Sequence, residues 1–253
     1  MTEIYTLYFL LPMAFAIGIC FGSFVTMASH RLPLGEDIVF KSSYCPQCQS
    51  PLTFFNLVPL FSWMFQRRRC SRCKSPIHFR YPLIEFSLGV TFAALVYFYG
   101  LHANTLFFAF LAMELAILIV TDLEHFIIPD FVQVMLFITG IAYRLYHADA
   151  VLEIALDIAV GLSIGLLLHY GYYYLRKKDG LGFGDVKFLA VAGAWLPLIA
   201  FVPFFFFAGL IGTVTGLLWR YKKGDAIFPF GPALACSLFI NVLFPDIIAR
   251  ITL

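Results

Sequence analysis

The stretch that decides the fold is "FLAVAGAWLPLIAFVPFFFFAGLIGTVTGLLW", residues 188–219, which carries no charged side chain. A helix crosses the hydrocarbon core of a membrane with about 20 apolar residues, so this run is too long for a single crossing. Pro197 and Pro203 interrupt the run and mark a turn between two spans. The stretch therefore predicts two consecutive transmembrane helices.

The rest of the chain shares this apolar character. Of its 253 residues, 61% are hydrophobic and only 13% are charged, whereas soluble proteins use about 45–50% apolar residues. The alternation of polar and apolar residues that marks a transmembrane β-barrel is absent. The sequence predicts an all-α polytopic membrane protein with about eight transmembrane helices, at residues 4–28, 82–101, 104–121, 127–146, 151–175, 186–200, 201–219 and 229–249.

The basic residues are distributed unevenly between the loops. All but two of the 17 Lys and Arg lie in three hydrophilic segments, at about 30–81, 176–187 and 220–223, and the exceptions are Arg144 and Arg250. With eight spans, the three segments share one side of the membrane. Short loops rich in Lys and Arg stay in the cytoplasm, so this side is predicted to be cytoplasmic and both termini are predicted to lie outside.

This topology divides the chain into three predicted parts. Residues 1–29 form a first transmembrane helix, which is expected to be retained because "SHRLP" follows it instead of a small-residue cleavage site. Residues 30–81 form a cytoplasmic insert, and residues 82–253 form a seven-helix membrane domain. The formal net charge of +2 points to no particular partner; membrane lipid is expected as a partner and nucleic acid is not.

The insert contains two cysteine pairs with the spacing of metal-binding turns. They are Cys45-x2-Cys48 and Cys70-x2-Cys73. Four thiolates are the ligand set of a tetrahedral structural zinc site, which leaves no position for a reactive water. The alternatives are four free thiols or two disulfides, and a cytoplasmic location argues against disulfides. The other two cysteines lie alone in apolar spans and are expected to be packing residues: Cys20 and Cys236.

Two aspartates are the candidates for chemistry. Asp185 lies in "GLGFGDVK", where Gly182 and Gly184 would let a peptide backbone approach closely, although Asp185 alone is equally compatible with a helix N-cap. Asp122 ends the apolar run of "LAILIVTDLEHFIIPD" on the same predicted side of the membrane. Ionisable groups at membrane depth are costly and usually functional. A pair of close carboxylates shares a proton, so one can activate water while the other protonates a peptide carbonyl.

Other acidic residues near Asp122 have simpler interpretations. Asp130 follows Pro129 and is predicted to cap the fourth span, while Glu124 and His125 are predicted to be solvated loop residues. Glu114 lies one to two turns deeper in the third span, where it can pair with a neighbouring helix.

Taken together, these motifs resemble those of the bacterial type IV prepilin peptidases, also called leader peptidases and N-methyltransferases. The resemblance runs along nearly the whole chain, through "FGSFVTMASHRLP", the cysteine pairs joined by "NLVP…SW", "FRYPLIE", "TDLEHFIIPD" and "GFGDVK". It implies an eight-helix enzyme of the bacterial inner membrane with a zinc-binding cytoplasmic insert and with Asp122 and Asp185 as catalytic residues. Such enzymes cut a short basic leader from prepilins or pseudopilins at the cytoplasmic face, and many then methylate the new N-terminal amine with S-adenosylmethionine.

Two positions depart from the family pattern. Arg68 stands where members often have glycine, and Thr26 stands where they commonly have asparagine. The family insert is linked to methylation, so the resemblance implies peptidase activity and leaves N-methylation open. Three other functions are alternatives: an intramembrane aspartyl protease without methyltransferase activity, a proton-coupled transporter that uses the two aspartates as a relay, and an assembly scaffold.

Overall fold

The computed structural model describes residues 6–177, 180–224 and 228–245. A short π-helical turn at Thr6–Leu10 and a five-residue helix at Phe61–Phe65 accompany eight longer helices within these ranges. The longer helices are α1 (Leu11–Arg31), α2 (Arg80–Tyr99), α3 (Ala103–His125), α4 (Asp130–Tyr146), α5 (Val151–Arg176), α6 (Phe183–Trp195), α7 (Phe201–Lys223) and α8 (Gly231–Leu243). The all-α prediction is confirmed, since the described residues contain two isolated β-bridges and no strand.

Each longer helix overlaps one predicted span, and in the part of the chain that the structure describes five helical segments are long and apolar enough to cross a membrane. Those five segments are Tyr8–Leu34, Arg80–Tyr99, Ala103–His125, Val151–Arg176 and Leu198–Lys223. Helices α4, α6 and α8 are shorter, so the count of eight spans stays a prediction. The start of the first predicted span, the end of the last, Lys178 and Arg250 lie outside the described residues.

The break inside the long apolar run lies at the first of the two prolines. Helix α6 ends at Trp195, and a 3-10 turn at Leu198–Ala200 leads into α7. Pro197 precedes this turn, as predicted, whereas Pro203 lies in the first turn of α7. A proline is tolerated there because the first N–H groups of a helix have no intrahelical partner.

The chain packs as two compact units, residues 1–117 and 118–253. In the first unit, α1 and α2 approach each other through small residues. A Cβ added to Gly18 would lie 2.6 Å from the carbonyl oxygen of Leu88, and one added to Gly22 would lie 2.5 Å from the Cα of Glu85. Small residues allow such close backbone contact between apolar helices, where van der Waals packing provides much of the attraction.

The polar insert is anchored to the end of α1 by one buried arginine. Arg31 is 3% exposed, and its guanidinium donates hydrogen bonds to the carbonyl oxygens of Asp37, Lys41 and Ser42 at 2.7–3.0 Å. The guanidinium also lies over the Tyr44 ring, 5.2 Å from its centroid. Arg31 therefore fixes the course of the chain toward the first cysteine pair.

In the second unit, α6 is the central helix and packs against α4, α5 and α8. Its residues are buried on nearly all sides from Val186 to Trp195. A Cβ on Gly161 of α5 would lie 2.3 Å from the carbonyl oxygen of Leu189, so these two helices also meet through a small residue. Asp185 lies in the first turn of α6, at the partly exposed start of this otherwise buried helix.

A buried ion network holds the far end of α6. Arg144 is 4% exposed and pairs with Asp149 at 2.5 Å and with Asp157 at 2.6 Å. Asp157 also accepts a hydrogen bond from the backbone N–H of Leu198 at 3.0 Å. Arg144 was one of the two exceptions to the distribution of basic residues, and its burial and pairing give it a local structural role.

Candidate active site and metal centre

Asp122 lies three residues before the end of α3 and is 6% exposed. Its Oδ2 accepts a hydrogen bond from the backbone N–H of Gly231, the first residue of α8, at 2.8 Å. A Cβ on Gly231 would lie 2.7 Å from this oxygen, so the contact requires glycine. The start of α8 thus directs an N–H group and the positive end of a helix dipole at Asp122.

Asp185 is the third residue of α6 and is partly buried. The N-cap of this helix is Gly182 and no side chain caps it, so the interpretation of Asp185 as an N-cap is wrong. Gly182 has φ −64°, a conformation that any residue can adopt, so the backbone conformation does not require glycine at this position. A Cβ at Gly182 would lie 3.3 Å from the Asp185 Oδ2, so the glycine leaves space beside that carboxylate.

The two predicted catalytic aspartates lie in the same unit, and their carboxylates interact electrostatically. Asp122 comes from the end of α3 and Asp185 from the start of α6, so helix ends position both groups. Two interacting carboxylates of this kind can supply the base and the acid of amide hydrolysis.

Three contacts hold the glycine-rich segment before Asp185. The Gln133 side chain donates to the carbonyl oxygen of Gly184 at 3.3 Å, and Nδ1 of His169 lies 2.7 Å from the carbonyl oxygen of Leu181. Lys187 pairs with Asp130 at 2.6 Å, which joins the segments that carry the two aspartates. The second glycine of the motif, Gly184, faces Ile128, and a Cβ there would lie 3.3 Å from it.

The remaining acidic residues near Asp122 have other environments. Asp130 is the first residue of α4, makes no capping hydrogen bond and instead pairs with Lys187, so its predicted capping role is wrong. Glu124 and His125 are exposed, as predicted, but they end α3 and do not lie in a loop. Glu114 is buried in α3, at 5% exposure.

The four cysteines of the insert converge on one cluster that could bind a metal ion such as zinc. The sulfur atoms of Cys45, Cys48, Cys70 and Cys73 all lie within 4.8 Å of one another, and Cys45 and Cys73 are 3.9 Å apart. A Zn–S distance of about 2.3 Å in a tetrahedron places its sulfurs about 3.8 Å apart, so the donor set fits zinc.

Two matching turns build this cluster. The Cys45 N–H bonds to the carbonyl oxygen of Ser50 at 3.0 Å, and the Cys70 N–H bonds to that of Ser75 at 2.8 Å. The second cysteine of each pair lies 3.0 Å from the hydroxyl of the same serine. The hydrogen bond from Ser75 lowers the pKa of the Cys73 thiol to about 6, whereas burial raises the pKa of Cys45.

The two departures from the family pattern lie around α1 and the insert. Arg68 has φ +62°, in the left-handed region that favours glycine, and its guanidinium lies over the Trp63 ring, 4.9 Å from the centroid. Thr26 is 3% exposed, and its hydroxyl donates to the carbonyl oxygen of Ser23 at 2.7 Å.

Sequence reasoning did not identify Gly231, Gln133 or His169 as site residues. The only local signal at Gly231 was the Gly-Pro pair in "FPFGP", which is typical of a helix start. This pair does not reveal which side chain contacts the Gly231 N–H. Gln133 and His169 contact backbone carbonyls far along the chain, and no local pattern marks such contacts.

Comparison with known proteins gives matches along most of the chain. Residues 16–99 match the bacterial peptidase A24 N-terminal domain, and residues 109–217 match the type IV leader peptidase family. The prepilin leader peptidase/N-methyltransferase of Aeromonas hydrophila is 30% identical over 275 residues, which cover 96% of this chain and 93% of that protein. The protein of the same name from Neisseria gonorrhoeae is 32% identical, over 96% of this chain and 93% of its own length. The one from Myxococcus xanthus is 33% identical, over 84% of this chain and 64% of its own length. No solved structure matches the chain significantly.

Proposed function

This chain belongs to the type IV leader peptidase family, and on that premise we propose that Asp122 and Asp185 form the catalytic pair with which it removes the leader from prepilins or pseudopilins. The observation that carries this assignment is geometric: within one unit, the Gly231 N–H binds the Asp122 carboxylate, and Gly182 leaves space beside the Asp185 carboxylate. Helix ends and fixed backbone contacts hold both groups in place. Such preorganisation is what positioned acid–base catalysis requires.

In the proposed mechanism, one aspartate is ionised and the other holds a proton. The ionised carboxylate takes a proton from a water molecule, whose oxygen attacks the carbonyl carbon of the scissile peptide bond. The protonated carboxyl gives its proton to the carbonyl oxygen, and a tetrahedral intermediate forms. The C–N bond then breaks as the leaving nitrogen receives the proton held by the first carboxylate. The second carboxylate takes back a proton from one hydroxyl of the intermediate, so a carboxylic acid is released and the pair returns to its starting state. The Gly231 N–H keeps one oxygen of Asp122 in place throughout.

The proposed substrate position lies beside Gly182 and Gly184. A helical backbone hides its carbonyl groups, so the leader junction has to be extended when it is cut. The absence of a side chain at Gly182 leaves room beside the Asp185 carboxylate, where an extended strand can lie. We place this site and the cysteine insert at the cytoplasmic face of the bacterial inner membrane, because the basic segments share that side in an eight-span topology.

The insert is proposed to hold a structural zinc ion on Cys45, Cys48, Cys70 and Cys73. A closed set of four thiolates stabilises the fold and offers no position for a substrate. N-methylation of the new N-terminus is the second proposed activity, and the names of the relatives support it. S-adenosylmethionine would supply the methyl group.

The test uses the purified full-length protein in detergent with a membrane-borne prepilin, followed by intact mass. Wild type is expected to remove the leader, and Asp122→Asn and Asp185→Asn are each expected to slow cleavage by about 10²–10⁴-fold. Glu124→Gln is the matched control, because this exposed carboxylate lies two residues from Asp122. Cleavage at the wild-type rate in both aspartate variants would exclude the two-aspartate mechanism, whereas a scaffold would show no cleavage in any variant.

A further inference from the structure

The surface of the cysteine insert carries five large apolar side chains that neither the aspartate site nor the metal cluster uses. Each is 55–84% exposed: Phe54, Phe55, Phe61, Met64 and Phe65. The last three share one side of the helix Phe61–Phe65, because residues three and four apart are neighbours on a helix. The first two lie in the 3-10 turn Phe54–Asn56, which contacts this helix. The five side chains therefore belong to one connected part of the insert.

Five exposed basic side chains border the apolar ones. They follow the helix directly or lie in the second cysteine turn: Arg67, Arg68, Arg69, Arg72 and Lys74. The Asn56 side chain donates a hydrogen bond to the Ser71 hydroxyl at 3.3 Å, which joins the 3-10 turn to the second cysteine turn. No ion pair within the described chain involves any of the five, and residues 38–84 contain no Asp or Glu. Together, the ten side chains form the basic–apolar surface of the insert.

Contacts with α2 place this surface at the level where the chain enters its membrane span. The backbone N–H of Leu60 donates a hydrogen bond at 2.7 Å to the carboxylate of Glu85, the sixth residue of α2. Glu85 lies about 7.5 Å along the helix from its start, and the whole of α2 is a candidate span. The helix Phe61–Phe65 begins directly after Leu60, and Trp63 on its opposite side packs against Phe79, with ring centroids 5.7 Å apart. The apolar side chains therefore lie beside the first turns of a transmembrane helix.

The chemistry and the position of this surface match a layer of anionic lipid headgroups. Apolar and aromatic side chains enter the boundary between headgroups and acyl chains, while Lys and Arg beside them are attracted to anionic headgroups. Two other partners fit less well because of their charge. The leader of a prepilin is basic and would be repelled, and a second copy of the chain would bring the same five positive charges into a two-fold contact.

We propose that the basic–apolar surface docks the cysteine insert onto anionic phospholipids at the membrane surface. Phe61, Met64 and Phe65 enter the boundary between headgroups and acyl chains, and the arginines that follow them bind lipid phosphate groups. Lipid thus holds the side of the short helix that Trp63 does not, so the insert is fixed by the protein and by the bilayer together. This role goes beyond the proposed function, in which the insert holds zinc, and it does not depend on the aspartate pair.

The test uses the full-length protein in lipid nanodiscs, with one copy per disc. Discs of phosphatidylcholine are compared with discs that also contain about 30% phosphatidylglycerol, and both contain a trace of phosphatidylcholine with a photoactivatable group at the top of its acyl chain. Lipid label on residues 54–65, mapped by peptide mass, is expected to rise about fivefold or more with the anionic lipid. The label should return to the neutral-disc level in about 1 M NaCl, which screens charges beyond about 3 Å. Label on α2 is the internal reference and should stay constant, because a span contacts lipid in every disc.

A matched pair of triple variants tests the charges. One variant removes three charges from the basic–apolar surface: Arg67→Gln, Arg68→Gln and Arg69→Gln. The control variant removes three charges from the end of α7: Arg220→Gln, Lys222→Gln and Lys223→Gln. The first is expected to reduce the rise in label to less than about twofold, and the control is expected to keep the full rise. Wild-type metal content in both variants shows that the insert is folded, and the comparison of lipids on wild type needs no variant.

Three results would overturn the inference. The first is equal label on residues 54–65 of the wild type in neutral and anionic discs, and the second is a full rise in the variant without the three arginines. The third is loss of the lipid label from these residues when prepilin shares the disc, which would assign the surface to the substrate. Asp185→Asn is expected to lose leader cleavage and to keep the lipid label, so a failure of the peptidase proposal is distinguishable from a failure of this inference.

Discussion

The cysteine cluster takes its ligands from two turns of the same kind, whereas the two aspartates come from opposite kinds of helix end. Each cysteine pair has the same backbone hydrogen bonds and the same serine beside its second thiol. Asp185 lies at the start of α6, where the helix dipole favours an anion, and Asp122 lies near the end of α3, where it does not. The Gly231 N–H at the start of α8 donates a hydrogen bond to Asp122 and so compensates for this unfavourable position of the negative charge.

This difference separates a site that stabilises the fold from one that can react. The cysteine set is closed: every ligand faces the others, and its turns are complete within a few residues. The aspartate site depends on three helices, and glycine at position 182 leaves space next to a carboxylate. Removing a part of the first site should therefore affect metal and folding, and disturbing the second should affect catalysis.

The largest expected effect is on the zinc content of the protein. Cys70→Ser should reduce bound zinc from about one equivalent to nearly none, because structural zinc sites with four ligands contribute about 10–16 kcal/mol of binding energy that the unfolded chain lacks. Elemental analysis of the purified protein measures this directly. Cys20→Ser, which changes a lone cysteine in α1, should keep its zinc. A Cys70→Ser protein that cleaves prepilin as slowly as Asp185→Asn would break the separation between the two sites.

The next effect tests the contact that positions Asp122. Gly231→Ala should slow leader cleavage by about tenfold to a hundredfold, because the new Cβ would lie 2.7 Å from the carboxylate oxygen and has to displace it. Initial rates with the same prepilin measure the loss, and zinc content should not change. Gly209→Ala in α7 is the matched control, since nothing lies within 4 Å of a Cβ there. Equal rates for Gly231→Ala and wild type would remove Gly231 from the site.

These two sites also differ in what the sequence could reveal. The cysteine cluster follows from spacing, because two Cys-x2-Cys pairs form their turns locally and need only to meet. The aspartates were recognised as residues, but their proximity depends on the tertiary structure of the second unit, which no local pattern records. Gly231 was missed for the same reason, since its role comes from its distance to Asp122 and not from its neighbours in the chain.

A similar limit applies to the helices. Apolar composition located the eight longer helices of the described chain, because lipid requires long apolar runs. Their ends were less accurate: α6 begins at Phe183 and includes Asp185, which sequence reasoning placed just before the span. The predicted N-cap was also displaced, since the helix starts after Gly182 and not at Asp185.

A smaller effect distinguishes the thiols within the cluster. In zinc-free protein, Cys73 should react with iodoacetamide about tenfold or more faster than Cys45 at pH 7, because the thiolate is the nucleophile. The pKa of Cys73 is about 6 and its side chain is exposed, whereas Cys45 is buried and its pKa is raised. The rate at Cys73 should rise with pH through about 6 and then level off, as followed by peptide mass.

Restored zinc should protect both thiols, and Cys20 should label equally with and without the metal. Equal labelling of Cys45 and Cys73 in the zinc-free protein would mean that the two turns do not persist without zinc. The serine beside each second cysteine would then have no separate influence on thiol reactivity.

The smallest expected effect is on stability and concerns Arg68, whose backbone conformation is determined by the local turn and not by the metal. Arg68→Gly should change stability by less than about 1 kcal/mol, because relief of the left-handed conformation, φ +62°, offsets loss of the contact with the Trp63 ring. Arg68→Ala loses the same contact and keeps the unfavourable conformation, so it should be about 1 kcal/mol less stable than Arg68→Gly. Thermal unfolding of the zinc-loaded proteins in one detergent measures the difference. If the two variants unfold at the same temperature, the backbone at residue 68 is relaxed, and the preference of the family for glycine there has another cause.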